Sequence, residues 1–78
     1  MYTVYLLKDQ NDKVYKGMTN NLARRLREHI SGKTITTARM KNLQLVYKEE
    51  FTDKIQARSR ELYFKTAAGR RFLKTIIQ

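Results

Sequence analysis

The 78-residue sequence contains no cysteine and no proline, and it has only three glycines. Without cysteine there is no disulfide scaffold, no cysteine-based zinc site and no thiol nucleophile. Cysteine-free chains occur in every compartment, so this absence leans only weakly toward the cytosol. No apolar run approaches the length that spans a bilayer. The first residues, Met1-Tyr2-Thr3-Val4-Tyr5-Leu6-Leu7, offer neither a basic leader nor a small-residue cleavage site, so they do not read as a signal peptide. The expectation is a soluble, cytoplasmic protein with no membrane association. Acidic residues are also scarce: seven Asp and Glu stand against 17 Lys and Arg.

That imbalance gives a formal charge of +10 and a pI near 10.2. Neutralising phosphates releases condensed counterions, so a chain this small and this basic is a candidate for binding a polyanion. A ribosome-like or merely solvated basic surface is the plain alternative. A membrane surface is disfavoured, since no segment joins strong basicity to a clean membrane-inserting apolar face. The cations are spread from Lys8 to Lys74, and the sequence does not show that they gather on one side. Length allows one domain, residues 1–78, with one modest core. The 41% hydrophobic content reads as globular.

Residues 2–7 are rich in β-formers and read as a strand. A polar cluster, Lys8-Asp9-Gln10-Asn11-Asp12, turns the chain into a second strand over Val14-Tyr15-Lys16-Gly17-Met18. If that loop centres on Gln10, Tyr5 stands opposite Tyr15 and two phenols share one face. A slip of one residue would lose this. Asn20-Asn21 offers an N-cap to a helix over residues 22–30, with Leu22, Leu26 and Ile30 as its buried stripe and Gly32 ending it. Arg25 and His29 lie on a flanking row, at the edge of the helix–sheet interface. Residues 33–42 have no period and read as a mobile basic loop. Leu43 to Tyr47, extendable to Phe51, reads as a third strand. A helix capped by Thr52 or Asp53 covers residues 54–65, and a further helix covers 67–77, weakened at Gly69. The expected class is α+β, a three-stranded, mainly antiparallel sheet with packed helices in the order β-β-α-β-α-α.

This order resembles the GIY-YIG nucleases, especially small stand-alone bacterial members. Thr3-Val4-Tyr5 matches the first half-motif and Tyr15-Lys16-Gly17 the second. Asn21-Leu22-Ala23-Arg24-Arg25-Leu26-Arg27-Glu28-His29 matches the helix motif, and Leu45-Val46-Tyr47-Lys48-Glu49-Glu50-Phe51 resembles the third strand. Ala57-Arg58-Ser59-Arg60-Glu61 and Phe64 to Lys74 resemble the C-terminal part. A single half-motif arises often by chance, whereas the ordered set with its spacings is specific. Thr3 and Lys16 depart from the glycine and isoleucine of the family's pattern. Strand alternation points Lys16 away from Tyr15.

The resemblance implies a metal-dependent endonuclease with catalytic residues Tyr5, Tyr15, Arg25, His29 and Glu61. Tyr5 would position or deprotonate the attacking water, with Tyr15 in support, although both could be plain sheet aromatics. A phenol needs a cation or metal nearby to act as a base at neutral pH. Arg25, beside the apolar stripe, takes the phosphate-gripping role that Arg24 cannot share. His29 would bind phosphate or orient a tyrosine, although a lone histidine at a helix end is usually a packed interface residue. Glu61 could be a surface partner of Arg58 or Lys65. It also shares a row with Ala57 and Phe64, on a helix that Ile55 and Leu62 suggest is covered on two faces. An acid on an apolar row, together with the resemblance, marks Glu61 as the ligand of one Mg²⁺ or Mn²⁺ ion. Lys33, Arg39, Lys41, Arg70 and Arg71 would track the nucleic-acid backbone, DNA rather than RNA, without reading sequence. Targeting would then come from a dimer or a separate partner. A non-catalytic DNA- or RNA-binding module on the same fold is the alternative.

Overall fold

The computed structural model describes residues 1–34 and 37–76. Three strands, β1 (Tyr2–Lys8), β2 (Val14–Thr19) and β3 (Gln44–Phe51), and three helices, α1 (Leu22–Ile30), α2 (Lys54–Phe64) and α3 (Ala67–Ile76), follow the expected α+β order β-β-α-β-α-α. Both pairings are antiparallel and the sheet order is β2-β1-β3. The N-terminal strand is therefore central. This is why Val4, Tyr5, Leu6 and Leu7 form an unbroken apolar run: a strand covered on both faces has no solvent side to keep polar.

Alternation divides the two layers. Val4 and Leu6 point to one side, where Ala57 and Phe64 of α2 and Leu73 of α3 complete the core. Each buried Val, Leu or Phe side chain among these contributes about 1.5–3 kcal/mol relative to exposure. Tyr5 points to the other side, toward α1. Arg60 ties the C-terminal helices to β3, with its guanidinium 2.8 Å from Glu49 and over the rings of Tyr63, Phe64 and Phe72 at 5.0, 4.7 and 5.2 Å.

Asn21 caps α1, accepting a hydrogen bond from the Arg24 amide at 3.1 Å, and Asp53 caps α2 through the Ile55 amide at 2.9 Å. At the end of α1, Gly32 has φ +78° and donates to the His29 carbonyl, while Lys33 donates to Glu28. This is the paired hydrogen-bond arrangement that glycine just beyond a helix end makes possible.

Five expectations are corrected. The β1–β2 register opposes Tyr5 to Gly17 and Leu7 to Tyr15, because the loop spans residues 9–13 and centres on Asn11. The slip is two residues, an even number, so Tyr5 and Tyr15 still share a face. Ile30 is 72% exposed, and His29 takes the interior place at that end of α1. Ile55 (78% exposed) and Leu62 (47%) face solvent, so α2 is covered along one row only. Gly69 is no weak point: a Cβ there would sit 1.9 Å from the Tyr63 carbonyl oxygen, so the glycine lets α3 close onto the end of α2. The segment read as a free loop is also anchored. The Gln10 amide donates to the Lys41 carbonyl at 3.0 Å and Thr37 is buried, while residues 35 and 36 of that segment lie outside the described residues.

Candidate active site

Tyr5 occupies the middle of the central strand, so its phenol has no exposed surface. Opposite it stands Gly17. A Cβ at that position would come within 2.7 Å of the Tyr5 ring and 2.9 Å of the Tyr15 ring. The missing side chain is thus the space into which the two phenols lean, and their ring centroids lie 6.2 Å apart. His29, delivered by the last turn of α1, closes the cluster with its ring 4.8 Å from Tyr15 and 5.8 Å from Tyr5.

The polar atoms of this cluster are paired. The Tyr5 hydroxyl lies 2.8 Å from His29 Nε2, and His29 Nδ1 lies 2.7 Å from Thr37 Oγ1. A phenol is the more acidic of the two hydroxyls. Tyr5 therefore donates to Nε2, which leaves the Nδ1–H to donate to Thr37. Burial pushes the His29 imidazolium below its ordinary pKa, and the Arg25 charge adds to this, so the ring is neutral at pH 7. The Tyr5 phenol is pushed up to about 12, first by burial and then by Tyr15, while Arg25 pulls in the opposite direction.

Arg25 is half-buried beside the two phenols, as its row on α1 requires. Its shortest hydrogen bond goes to Glu28 at 2.8 Å, and it favours the ionised Tyr5 phenol by hydrogen bonding first and by its charge second. Arg24 instead is exposed and reaches Glu28 at 3.7 Å. Tyr15 is only half-buried and opens onto a shallow cleft that Lys13, Asp9 and Arg39 also line. Of the two tyrosines, Tyr15 is the one open to solvent.

Glu61 comes from a different element, α2. It is buried (6% exposed) on the row of α2 that carries Ala57 and Phe64. Its two oxygens are held by Arg58 at 2.9 Å and Lys65 at 3.4 Å. These partners account for a buried carboxylate without a metal. Among the described residues no three His, Asp or Glu side chains converge. A single hard carboxylate still suits Mg²⁺ or Mn²⁺ in kind, because these ions keep several waters and take substrate phosphate as a ligand.

The expected backbone-binding residues do not share one face. Arg39 borders the Tyr15 cleft, Lys33 lies with Arg24 and Arg27 at the end of α1, and Arg70 lines a cleft between α3 and β2. Lys41 and Arg71 are exposed. Thr37 was not singled out from the sequence: a threonine in an aperiodic polar segment carries no pattern that marks it as a histidine partner.

A family model described as the GIY-YIG catalytic domain matches residues 1–74. The chain is 41% identical over 66 residues to a UPF0213 protein of Clostridium perfringens, which covers 83% of this chain and 71% of that one. It is 35% identical over 74 residues to a UPF0213 protein of Staphylococcus haemolyticus, covering 94% and 90% respectively. Among solved structures it is similar to the solution NMR structure of a UPF0213 protein from Bacillus halodurans, with a TM-score of 0.59, 28% identity and coverage of 96% and 84%. The half-motifs around Tyr5 and Tyr15, the arginine-rich helix and the matched fold agree: this chain belongs to the GIY-YIG family, a family of nucleases.

Proposed function

We propose that residues 1–78 act as one endonuclease domain that hydrolyses phosphodiester bonds in nucleic acid, DNA rather than RNA, with low or structure-based specificity and one Mg²⁺ or Mn²⁺ ion. The observation that carries this reading is the Tyr5–His29–Thr37 chain of hydrogen bonds beside the Arg25 guanidinium. A neutral histidine that accepts from a phenol gives the phenol's proton somewhere to go. Tyr5 then becomes a proton acceptor toward the water side at a pH where an isolated phenol would not. In this reading water attacks phosphorus at the Tyr15 cleft, its proton passes into the Tyr5–His29 pair, and the bridging P–O bond breaks onto the sugar oxygen. Arg25 stabilises charge on the non-bridging oxygens. Because Tyr5 is wholly enclosed, Tyr15 must rotate aside or relay the proton. Glu61 would hold the metal, which when bound supplies Lewis-acid charge to the phosphate and the leaving oxygen.

The test is cleavage of labelled duplex, single-stranded, flapped and branched DNA and RNA with Mg²⁺, Mn²⁺ or EDTA, alongside Glu61→Ala. Metal-dependent cutting that Glu61→Ala loses, with binding retained, is the expected result. Equal cutting by the variant would remove Glu61 from the metal site.

A second reading, a nucleic-acid-binding module without catalysis, is favoured by one observation. The Glu61 carboxylate is already neutralised by Arg58 and Lys65. Salt-sensitive binding with no cutting under any metal would establish that reading instead.

A further inference from the structure

On the side of the sheet turned away from Tyr5, β2 presents Val14, Lys16 and Met18. Val14 and Met18 pack against the core, so Lys16 is a cation on an otherwise apolar face. The cleft it enters, about 360 Å³, has a floor of Val14 and Leu73 and is walled by Lys16, Arg70 and Lys74. Lys8 and Asp12 sit on its rim and neutralise each other at 3.2 Å. Lys65, nearby, is paired with Glu61. Among the described residues Lys16, Arg70 and Lys74 make no ion pair.

A lysine in an apolar setting ordinarily carries its ammonium out to open water. Lys16 instead runs toward other cations: its pKa is lowered by burial and then by Arg70 and Lys65. Positive groups gathered over an apolar floor repel one another, and a bound anion converts that repulsion into attraction. A phosphate diester fits, since its charged oxygens meet the ammonium and guanidinium groups while its sugar lies on the apolar floor.

We propose that Lys16, Arg70 and Lys74 form a phosphate-binding cleft on the sheet face opposite the tyrosine cluster, and that its ligand is the backbone of a nucleic-acid strand. The ligand rests on the nucleic-acid part of the proposed function, but the cleft does not require catalysis. Two phosphate-holding surfaces on opposite faces would engage two strands, or two parts of one bent strand.

The experiment is amide NMR on the full chain at low salt. The chain is titrated separately with a short single-stranded oligonucleotide, with inorganic phosphate and with adenosine monophosphate, and sodium chloride at matched ionic strength is the control. Saturable shifts at Val14, Lys16, Arg70 and Leu73 with the oligonucleotide are expected. Lys16→Met keeps the apolar stem and deletes a half-buried charge, so it folds. It should lower the slope of log affinity against log salt by about 0.7, the contribution of one phosphate contact on a single strand. Arg70→Gln should act likewise. Saturation by adenosine monophosphate in place of the oligonucleotide keeps the phosphate site and makes a free nucleotide its source. Shifts confined to Tyr15 and Arg39, an unchanged slope in Lys16→Met, or equal shifts with sodium chloride would each overturn the cleft. The first two of these outcomes leave the tyrosine-cluster nuclease standing, and loss of cleavage alone would leave the cleft standing.

Discussion

The Tyr5 hydroxyl sits 2.8 Å from Nε2 of His29, a residue 24 positions away in the chain, and both side chains are buried. A proton on that line is shared between a phenol made less acidic by burial and an imidazole made less basic by burial. Both groups are therefore held neutral in the resting protein.

Removing the hydroxyl breaks this link without removing the ring. Tyr5→Phe should lower kcat by about 10²–10⁴, the range general acid–base groups supply, with little change in substrate affinity. It should also cost about 1–3 kcal/mol of stability, because His29 Nε2 is left buried without its partner. Single-turnover cleavage and urea unfolding measure the two effects. Wild-type kcat in Tyr5→Phe would exclude the phenol from proton transfer.

His29 gives stability a defined pH dependence. Its folded pKa lies below the ordinary 6.5, so the unfolded chain takes up the proton first as pH falls. Stability is then level just above pH 6.5 and declines below it, toward the lower folded value. At the alkaline end Tyr5 acts with the opposite sign. The unfolded phenol ionises near 10 and the folded one at about 12, so stability is lost as pH rises between them. Thermal unfolding across pH, with His29→Gln as comparison, should show the acid-side slope near pH 6 disappear in the variant. An unchanged slope would place the titration elsewhere.

Thr37 fixes which His29 nitrogen carries the proton. Thr37→Val should lower kcat about tenfold and shift the acid limb of the pH–rate profile, while Thr37→Ser, which keeps the hydroxyl, should restore both; a buried hydrogen bond is worth about 1 kcal/mol. Histidine ¹⁵N shifts would report the tautomer directly. A Val variant with the wild-type profile and tautomer would reduce Thr37 to packing.

Two glycines serve close approach. Gly17→Ala forces the Tyr5 and Tyr15 rings apart and should lower activity more than stability, because ring ends can shift. Gly69→Ala meets backbone at 1.9 Å and should be strongly destabilising, by about 2–4 kcal/mol, since neither α2 nor α3 can yield locally. Denaturant midpoints and cleavage rates of the two variants separate these effects. A neutral Gly69→Ala would mean that α3 does not dock as described.

The element order, both helix caps at Asn21 and Asp53, the basic charge and the half-motifs around Tyr5 and Tyr15 were all legible in the sequence. Each depends on neighbouring residues and on short-range periodicity, which local backbone preferences and hydrophobic patterning determine. What lay beyond reach depended on contacts between distant segments. Periodicity alone put Ile30 in the buried stripe, but the angle at which α1 meets the sheet turned His29 inward instead. The hairpin loop length decided that Tyr5 faces Gly17, so the space for both phenols came from a glycine, not from direct pairing. Thr37 reaches His29 only because the segment before β3 folds back over the sheet. The sequence placed Glu61 on a packed row of α2 with Arg58 and Lys65 as possible partners; the tertiary structure buried the carboxylate and kept both partners on it. Sequence dictates which face of its own element a side chain occupies, because backbone geometry is local. Only docking of the elements decides what that face meets, because burial energy is a property of two surfaces together.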